Sequence, residues 1–318
     1  MGLENNRMKL VLPAIARALL EPHLPAELDI AWFSNHEDAL AQVIDADIAW
    51  VDMQRPAWTG EAVAAGVNLK WVSTIYAGLD AFPLATLKAR GTVLTNGTGI
   101  SAVAVAEYAV MGMLAAAKRY DDVVRFADKH EWTIAAPGQI ELLDTSALII
   151  GYGAIGKLIG ARLAAFGVTV TGVTRSGSHG TLTPDQWPTR IGEFDWVVLA
   201  APSTGETKAL LGAAEFAAMK TSAWLINIAR GDMVDQDALI EALRARTIAG
   251  AFLDTVNPEP LPLDHPLWSA PNTLHSMHLS GRSQTKMFQR ATALFLDNLT
   301  AFLAAKPMRN VVDLDAGY

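Results

Sequence analysis

The stretch Ala147-Leu148-Ile149-Ile150-Gly151-Tyr152-Gly153-Ala154-Ile155-Gly156 decides how this chain folds. A short apolar run reads as a buried strand, three glycines follow in the G-x-G-x-x-G spacing, and a helix is expected over 156–166. Each glycine has a mechanical task. Gly151 permits the tight turn, Gly153 lets backbone approach a pyrophosphate, and Gly156 lets helix pack on strand. The phosphates of a dinucleotide then meet the unpaired N–H groups of a helix N-terminus, here including those of Ala154 and Ile155. Gly97-Thr98-Gly99-Ile100-Ser101-Ala102 also joins an apolar run to a helix. The charged segment beyond that helix supplies no second strand, so no strand–helix–strand unit closes there.

Outward from the glycine loop the pattern repeats. Strands are expected at 147–150, 168–173, 196–200, 223–228, 250–254 and 273–276, with further helices at 213–219 and 235–244, the latter capped by Asp235. Six strands in this arrangement make a complete doubly wound dinucleotide-binding domain. Upstream, strands at 9–12, 30–33, 47–51, 70–75 and 92–94 alternate with amphipathic stretches such as 37–43 and 61–65. That alternation implies a second parallel sheet wrapped by helices. Residues 100–117 read as an Ala-rich helix with no polar face, which must be buried between domains or between subunits. Residues 118–132 are more charged and read as an exposed arm, and a long amphipathic helix near 285–304 closes the chain.

A chain of 318 residues is long enough for two cores, and 51% hydrophobic with 18% charged residues places it among ordered globular proteins. The net charge of -8, with no Lys/Arg-rich run, argues against nucleic acid or an anionic membrane as partner. There is no cysteine, which excludes disulfides, thiolate chemistry and Cys-ligated zinc. No metal site is expected. The apolar run 8–20 is broken by Pro13 and Arg17 and is too short to span a bilayer, so a cytoplasmic location is the simplest expectation.

The end of the strand after the glycine helix distinguishes the two nicotinamide cofactors. An enzyme for NAD usually places a carboxylate there to hold the ribose 2′-hydroxyl. Thr174 stands at that place, 23 positions past Gly151, followed by Arg175 and Ser176, with no acid nearby. These side chains suit a 2′-phosphate, so NADP(H) is favoured over NAD(H). Three further segments follow strand ends, where open α/β sheets bind ligands. They are Asn227-Ile228-Ala229-Arg230-Gly231-Asp232, then 250–262 with Glu259, then 271–281 with His278. His275 competes with His278 but lies within an apolar run, where a core histidine is expected.

These segments together resemble the D-isomer-specific 2-hydroxyacid dehydrogenase family. The resemblance covers nearly the whole chain and includes Tyr76-Ala77-Gly78-Leu79-Asp80, the glycine loop, Ala229-Arg230-Gly231, Glu259-Pro260-Leu261-Pro262 and Asn310-Val311-Val312-Asp313. Glu259 to Pro262, Pro266-Leu267-Trp268 and the non-acidic Thr174 to Ser176 look most like glyoxylate/hydroxypyruvate reductases. The resemblance implies a Rossmann NAD(P)-binding domain, 98–282, inserted into a flavodoxin-like substrate-binding domain, 1–97 with 283–318. It implies a homodimer with the apolar helix at its interface, and hydride transfer between NAD(P)H and a small 2-oxo or D-2-hydroxy acid.

Residue by residue, the resemblance implies that Arg230 holds the substrate carboxylate and 2-oxo oxygen, a task its planar fork suits. His278 exchanges the proton, Glu259 orients His278, and the N–H groups of Ala77 and Gly78 cradle the carboxylate. Cofactor contacts are expected from Gly151, Gly153, Ala154, Ile155, Gly156, Thr174, Arg175, Ser176, Pro202, Thr207, Ile228 and Asp254. Trp50, Met53, Tyr76, Trp132 and Met277 are candidate pocket walls. The family commonly carries Thr-Pro before the catalytic histidine, and Ser276-Met277 stand there instead. Formate dehydrogenases of this fold pair that histidine with Gln, against which Glu259 argues. A nicotinamide-sensing regulatory protein of the same fold is the alternative from another class.

Overall fold

The computed structural model describes residues 7–282 and 284–317. The chain divides into two compact units, Met1–Ser101 with Gln284–Tyr318, and Ala102–Ser283. The expected division at 282/283 touches Ser283, which lies outside the described residues. In the first unit the elements are β1 (Lys9–Pro13), α1 (Arg17–Leu20), β2 (Asp29–Phe33), α2 (His36–Val43) and β3 (Ile48–Ala49). They continue with α3 (Pro56–Ala65), β4 (Trp71–Ser73), α4 (Leu84–Arg90) and β5 (Val93–Thr95). The second unit holds α5 (Ala102–Lys118), α6 (Tyr120–Asp128), β6 (Ser146–Ile150), α7 (Ala154–Ala165), β7 (Thr169–Val173) and β8 (Trp196–Leu199). It ends with α8 (Ala213–Ala218), β9 (Trp224–Asn227), α9 (Gln236–Arg244), β10 (Gly250–Leu253) and β11 (Thr273–His275). The closing helix α10 (Gln284–Leu303) returns to the first unit.

In the first unit the strands are all parallel in the order β2-β1-β3-β4-β5, a flavodoxin-like winding. Side chains alternate across the sheet, so Leu10 and Leu12 enter one core and Val11 the other. Both faces being buried explains why the strands read as continuous apolar runs. α10 supplies Ala291, Phe295 and Leu299, spaced by four on one helix face, to the core holding Leu10 and Leu12. There the Phe295 ring stacks on Trp71 at 5.1 Å and lies 5.5 Å from Trp50. Residues 98–101 go with this unit because the Asn310 side-chain amide donates to the Thr98 carbonyl at 2.8 Å, and Ile100 packs in the same core.

The second unit is a six-stranded parallel sheet in the order β11-β10-β9-β8-β6-β7. A parallel bridge from Val173 to Leu182 extends the β7 edge, as in a Rossmann winding. β6 therefore lies where the winding reverses, with the glycine loop at its carboxyl end.

The apolar helix α5 is satisfied largely within its own unit. Ala109, Met113, Ala116 and Ala117 share a core with Ile149, Ile159, Leu163, Trp224 and Phe252. Gly112 lets it come so close that an added Cβ would lie 2.6 Å from the Phe252 ring. Its all-apolar character thus comes from packing against both the sheet and α7, and Met111 remains exposed. The segment expected as an exposed arm carries α6, which buries no residue. Its first turn carries Asp121 and Asp122, and Arg125 pairs with both at helical spacing. Asp235 caps α9 as expected, accepting from the Ala238 N–H at 3.1 Å. Among the described residues no helix is long and apolar enough to cross a membrane.

Candidate active site

The glycine loop has the shape its spacing predicts. Gly151 has φ +97°, and a Cβ there would sit 2.3 Å from the Ala201 nitrogen. Gly156 abuts the Gly151 carbonyl, which an added Cβ would meet at 2.3 Å. A Cβ on Gly153 would meet no atom within 4 Å. Two glycines are thus required by close packing, and the third faces open space in front of the first turn of α7, whose N–H groups have no intrahelical acceptor. That cradle fits a dinucleotide pyrophosphate.

Beyond β7, Thr174 is half-buried and shares a hydrogen bond of 2.7 Å with Thr181, while Arg175 and Ser176 are exposed. The Ser176 hydroxyl lies 3.0 Å from that of Ser178. On the next strand end the Thr207 hydroxyl donates to the Pro202 carbonyl at 2.8 Å and accepts from the Thr204 N–H at 2.8 Å, folding that loop on itself. Ile228 is buried just past β9.

Arg230 follows β9 and is fixed at its backbone. The Asn227 amide donates to the Arg230 carbonyl at 2.9 Å and accepts from the Ala229 N–H at 3.0 Å, so the loop is bracketed by a buried residue of the sheet. Gly231 presses on the segment after β10, where an added Cβ would lie 2.0 Å from the Val256 carbonyl carbon. That segment carries Glu259. One Glu259 oxygen accepts from the Val256 N–H at 3.1 Å and the other meets His278 Nδ1 at 2.7 Å. Burial pushes the Glu259 carboxyl up, but the His278 hydrogen bond and charge, the Val256 N–H and the Arg230 charge outweigh it and hold it below the usual carboxylate range. The structure therefore brings Glu259 and His278 into contact and places Arg230 within electrostatic reach of Glu259. His278 Nε2 is the ring nitrogen left for chemistry. Asn227 and Gly231 escaped sequence reasoning, although both stand beside Arg230 in the quoted motif.

The His278 loop is unusual in its backbone. Met277 has φ +53° and His278 φ +54°, adjacent left-handed residues that side chains disfavour. Asp254 holds them. One of its oxygens accepts from the Ser276 hydroxyl at 2.7 Å and from the N–H groups of Leu279 and Ser280, and the other from the Ser280 hydroxyl. Its carbonyl accepts from the His278 N–H at 2.6 Å. Asp254, expected as a cofactor contact, is buried and spends both oxygens on this loop. Proline is confined near φ -65°, so the Thr-Pro that the resemblance implies before the histidine does not fit the conformation seen at 277. Met277→Pro is expected to lower turnover at least about tenfold, whereas Met277→Gly, free to adopt positive φ, should retain it. Steady-state rates of the two variants decide this.

His275, expected in the core, is half-buried and points away from the reaction chemistry. Its Nε2 lies 3.3 Å from the Leu267 carbonyl, its ring rests against Trp268, and burial lowers its pKa. The wall candidates fare differently. Met53 and Tyr76 are half-buried in the first unit and Met277 is exposed in the second. Trp50 is a core residue packed against Phe295, because its large ring is needed beneath α10. Trp132 is 95% exposed beyond α6 and lines nothing within its own unit. In the first unit, the N–H groups of Ala77 and Gly78 donate to no acceptor among the described residues. No group of three or more metal-ligating side chains occurs among the described residues.

A glycine cradle at the turn of a Rossmann sheet, with a carboxylate-held histidine and an arginine on neighbouring strand ends, defines a nicotinamide-linked oxidoreductase. Residues 110–280 match the family model for the D-isomer specific 2-hydroxyacid dehydrogenase NAD binding domain. The chain is 32% identical over 256 residues to glyoxylate/hydroxypyruvate reductase B of Pectobacterium atrosepticum, covering 77% of this chain and 79% of the relative. It is 33% identical over 260 residues to human glyoxylate reductase/hydroxypyruvate reductase, covering 79% of each. A D-isomer specific 2-hydroxyacid dehydrogenase family protein from Aeromonas salmonicida superposes with a TM-score of 0.85 at 29% identity, over 97% of this chain and 99% of that one. The chain belongs to the D-isomer specific 2-hydroxyacid dehydrogenase family. It is accordingly an oxidoreductase that moves a hydride between a nicotinamide cofactor and a 2-oxo or 2-hydroxy acid.

Proposed function

We propose that this chain reduces glyoxylate or hydroxypyruvate with NADPH as its favoured cofactor. The observation that carries the reading is the 2.7 Å contact between His278 Nδ1 and Glu259, with Arg230 acting electrostatically on the same carboxylate. When bound, the nicotinamide supplies the hydride that adds to C2 of the acid. Arg230 binds the substrate carboxylate and 2-oxo oxygen. His278 Nε2 gives its proton to that oxygen during reduction and takes it back during oxidation, while Glu259 keeps the ring in line. The N–H groups of Ala77 and Gly78 hold the carboxylate. Gly151, Gly153, Ala154, Ile155 and Gly156 receive the pyrophosphate, and Pro202, Thr207 and Ile228 line the remaining path of the cofactor. Asp254 serves through the loop it holds.

The names of the Pectobacterium and human relatives support the choice of acids. The cofactor preference rests on Thr174, Arg175 and Ser176, where no carboxylate opposes a 2′-phosphate. Arg175→Asp is expected to weaken NADPH by about ten- to a hundredfold, the scale of one charge-assisted hydrogen bond, and NADH far less. Equal losses in a binding titration would defeat the 2′-phosphate assignment. A cytoplasmic homodimer completes the proposal. Met111, Tyr120 and Phe166 leave apolar surface on the second unit, and Trp132 and Ile134 (95% and 98% exposed) call for cover by a second copy. The deciding assay follows the reduced-nicotinamide absorbance with NADPH and NADH against glyoxylate, hydroxypyruvate, pyruvate and phenylpyruvate. Oxidation faster with NADPH and with either of the first two acids is expected; preference for another acid would reassign the substrate.

A further inference from the structure

Asp52 is a carboxylate that the reaction described above does not use. It lies in the first unit past the carboxyl end of β3, where parallel sheets present their ligand-binding loops. Its environment is built rather than incidental. One oxygen accepts from the Thr74 hydroxyl at 2.6 Å, and the other from the Ile75 N–H at 2.6 Å and the Trp50 indole N–H at 2.8 Å. Thr74 relays the grip, since its hydroxyl oxygen also accepts from the Tyr76 N–H at 3.1 Å. The Tyr76 hydroxyl closes the ring by donating to the Met53 carbonyl, and the Met53 N–H donates to the Thr59 hydroxyl at 3.0 Å. The chain from Thr74 to Tyr76 is therefore moored to residues 50–53 by the Asp52 carboxylate and by the Tyr76 hydroxyl. Immediately after it come the N–H groups of Ala77 and Gly78.

We propose that Asp52 is a positioning residue for substrate, mooring Thr74 to Tyr76 so that the N–H groups of Ala77 and Gly78 are held ready for the carboxylate of the 2-oxo acid. The inference rests on the reading that these two groups bind substrate. Three donors converge on Asp52 although burial pushes its carboxyl up to about 6, so the site keeps a charge-accepting group where a neutral one would be cheaper to bury. Hydrogen bonds to an ionised acceptor are the strong ones, so their loss loosens the chain from Thr74 to Tyr76. The bonds from the Gly97 N–H to the Tyr76 carbonyl and from the Asn96 amide to the Ala77 carbonyl do not depend on Asp52.

The sheet supplies its own control. Asp47 precedes β3 at the opposite end of the strand, where it accepts from the Lys9 N–H at 2.8 Å and pairs with Lys70 at 2.9 Å. Its removal costs comparable bonds in the same unit at a distance from the loop. Steady-state kinetics of the full chain with NADPH and glyoxylate are expected to show KM raised about tenfold in Asp52→Ala, with kcat within about threefold. Thr74→Val, which removes only the relaying hydroxyl, should raise KM about threefold. Asp47→Ala should leave KM unchanged, and the NADPH Kd should be unchanged in all three. KM values of Asp52→Ala and Thr74→Val matching that of the unaltered protein would overturn the proposal, as would a KM rise of equal size in Asp47→Ala. If Asp52→Ala does not fold, Thr74→Val decides alone. Lack of turnover by the unaltered protein with any of the four acids would instead overturn the functional reading, and this inference with it.

Discussion

His278→Ala is expected to lower kcat by about 10²- to 10⁴-fold, the usual contribution of a positioned general acid, while NADPH binds as before. The separation follows from geometry. His278 lies past β11 on its own loop, whereas the glycine loop proposed to receive the pyrophosphate follows β6. The Glu259 carboxylate, held below its usual range, stays ionised through the neutral region and keeps its grip on Nδ1. His275→Ala is the companion measurement, since a half-buried histidine whose Nε2 lies 3.3 Å from the Leu267 carbonyl is engaged elsewhere. Stopped-flow or steady-state rates with NADPH read the outcome, and survival of full turnover in His278→Ala would reassign the donor.

Arg230→Gln is expected to lower kcat/KM by about 10²- to 10⁴-fold, as loss of two charge-assisted hydrogen bonds to substrate implies. Arg230→Lys should recover only part of this, because a point charge cannot match two oxygens at once. The Asn227 bracket ties the Arg230 carbonyl to the end of β9 and so fixes where its side chain departs from the backbone. Saturation kinetics in glyoxylate or hydroxypyruvate test this, and a Lys variant as active as the unaltered protein would show that charge alone is used. A side effect on Glu259 is also expected. The Arg230 charge is one of the influences lowering the Glu259 carboxyl, so Arg230→Gln should let that group titrate at higher pH.

Much of this was legible in the sequence because close packing leaves few options. The glycines at 151 and 156 sit against backbone atoms that no side chain would clear, so their spacing carries the turn wherever it occurs. Strands such as β6 and β8, buried on both faces, announce themselves as unbroken apolar runs. What could not be read depends on partners distant in the chain. Trp50 resembles a pocket wall until α10 is seen beneath it. α6 buries no residue, so although Val123, Val124, Phe126 and Ala127 recur at helical spacing, the charges of Asp121, Asp122 and Arg125 made the segment read as an arm. Asp52 and Asp254 are single acids in sequence, and only the fold gathers donors from residues more than twenty positions away around each. The left-handed pair Met277 and His278 lacks the glycine that would have signalled it.

The return of α10 to the first unit has a consequence for how the chain is made. Ala291, Phe295 and Leu299 pack against one face of a sheet whose strands end at Thr95. A growing chain therefore presents Leu10, Leu12, Trp50 and Trp71 without their lid until the second unit has been synthesised. At ordinary elongation rates that interval is on the order of ten to forty seconds. The second unit is continuous in sequence and is complete before the first, reversing the usual order in which the N-terminal part of a protein matures. During that interval the exposed tryptophan face is a natural client for ribosome-associated chaperones, and any truncation before residue 284 would leave it permanently uncovered.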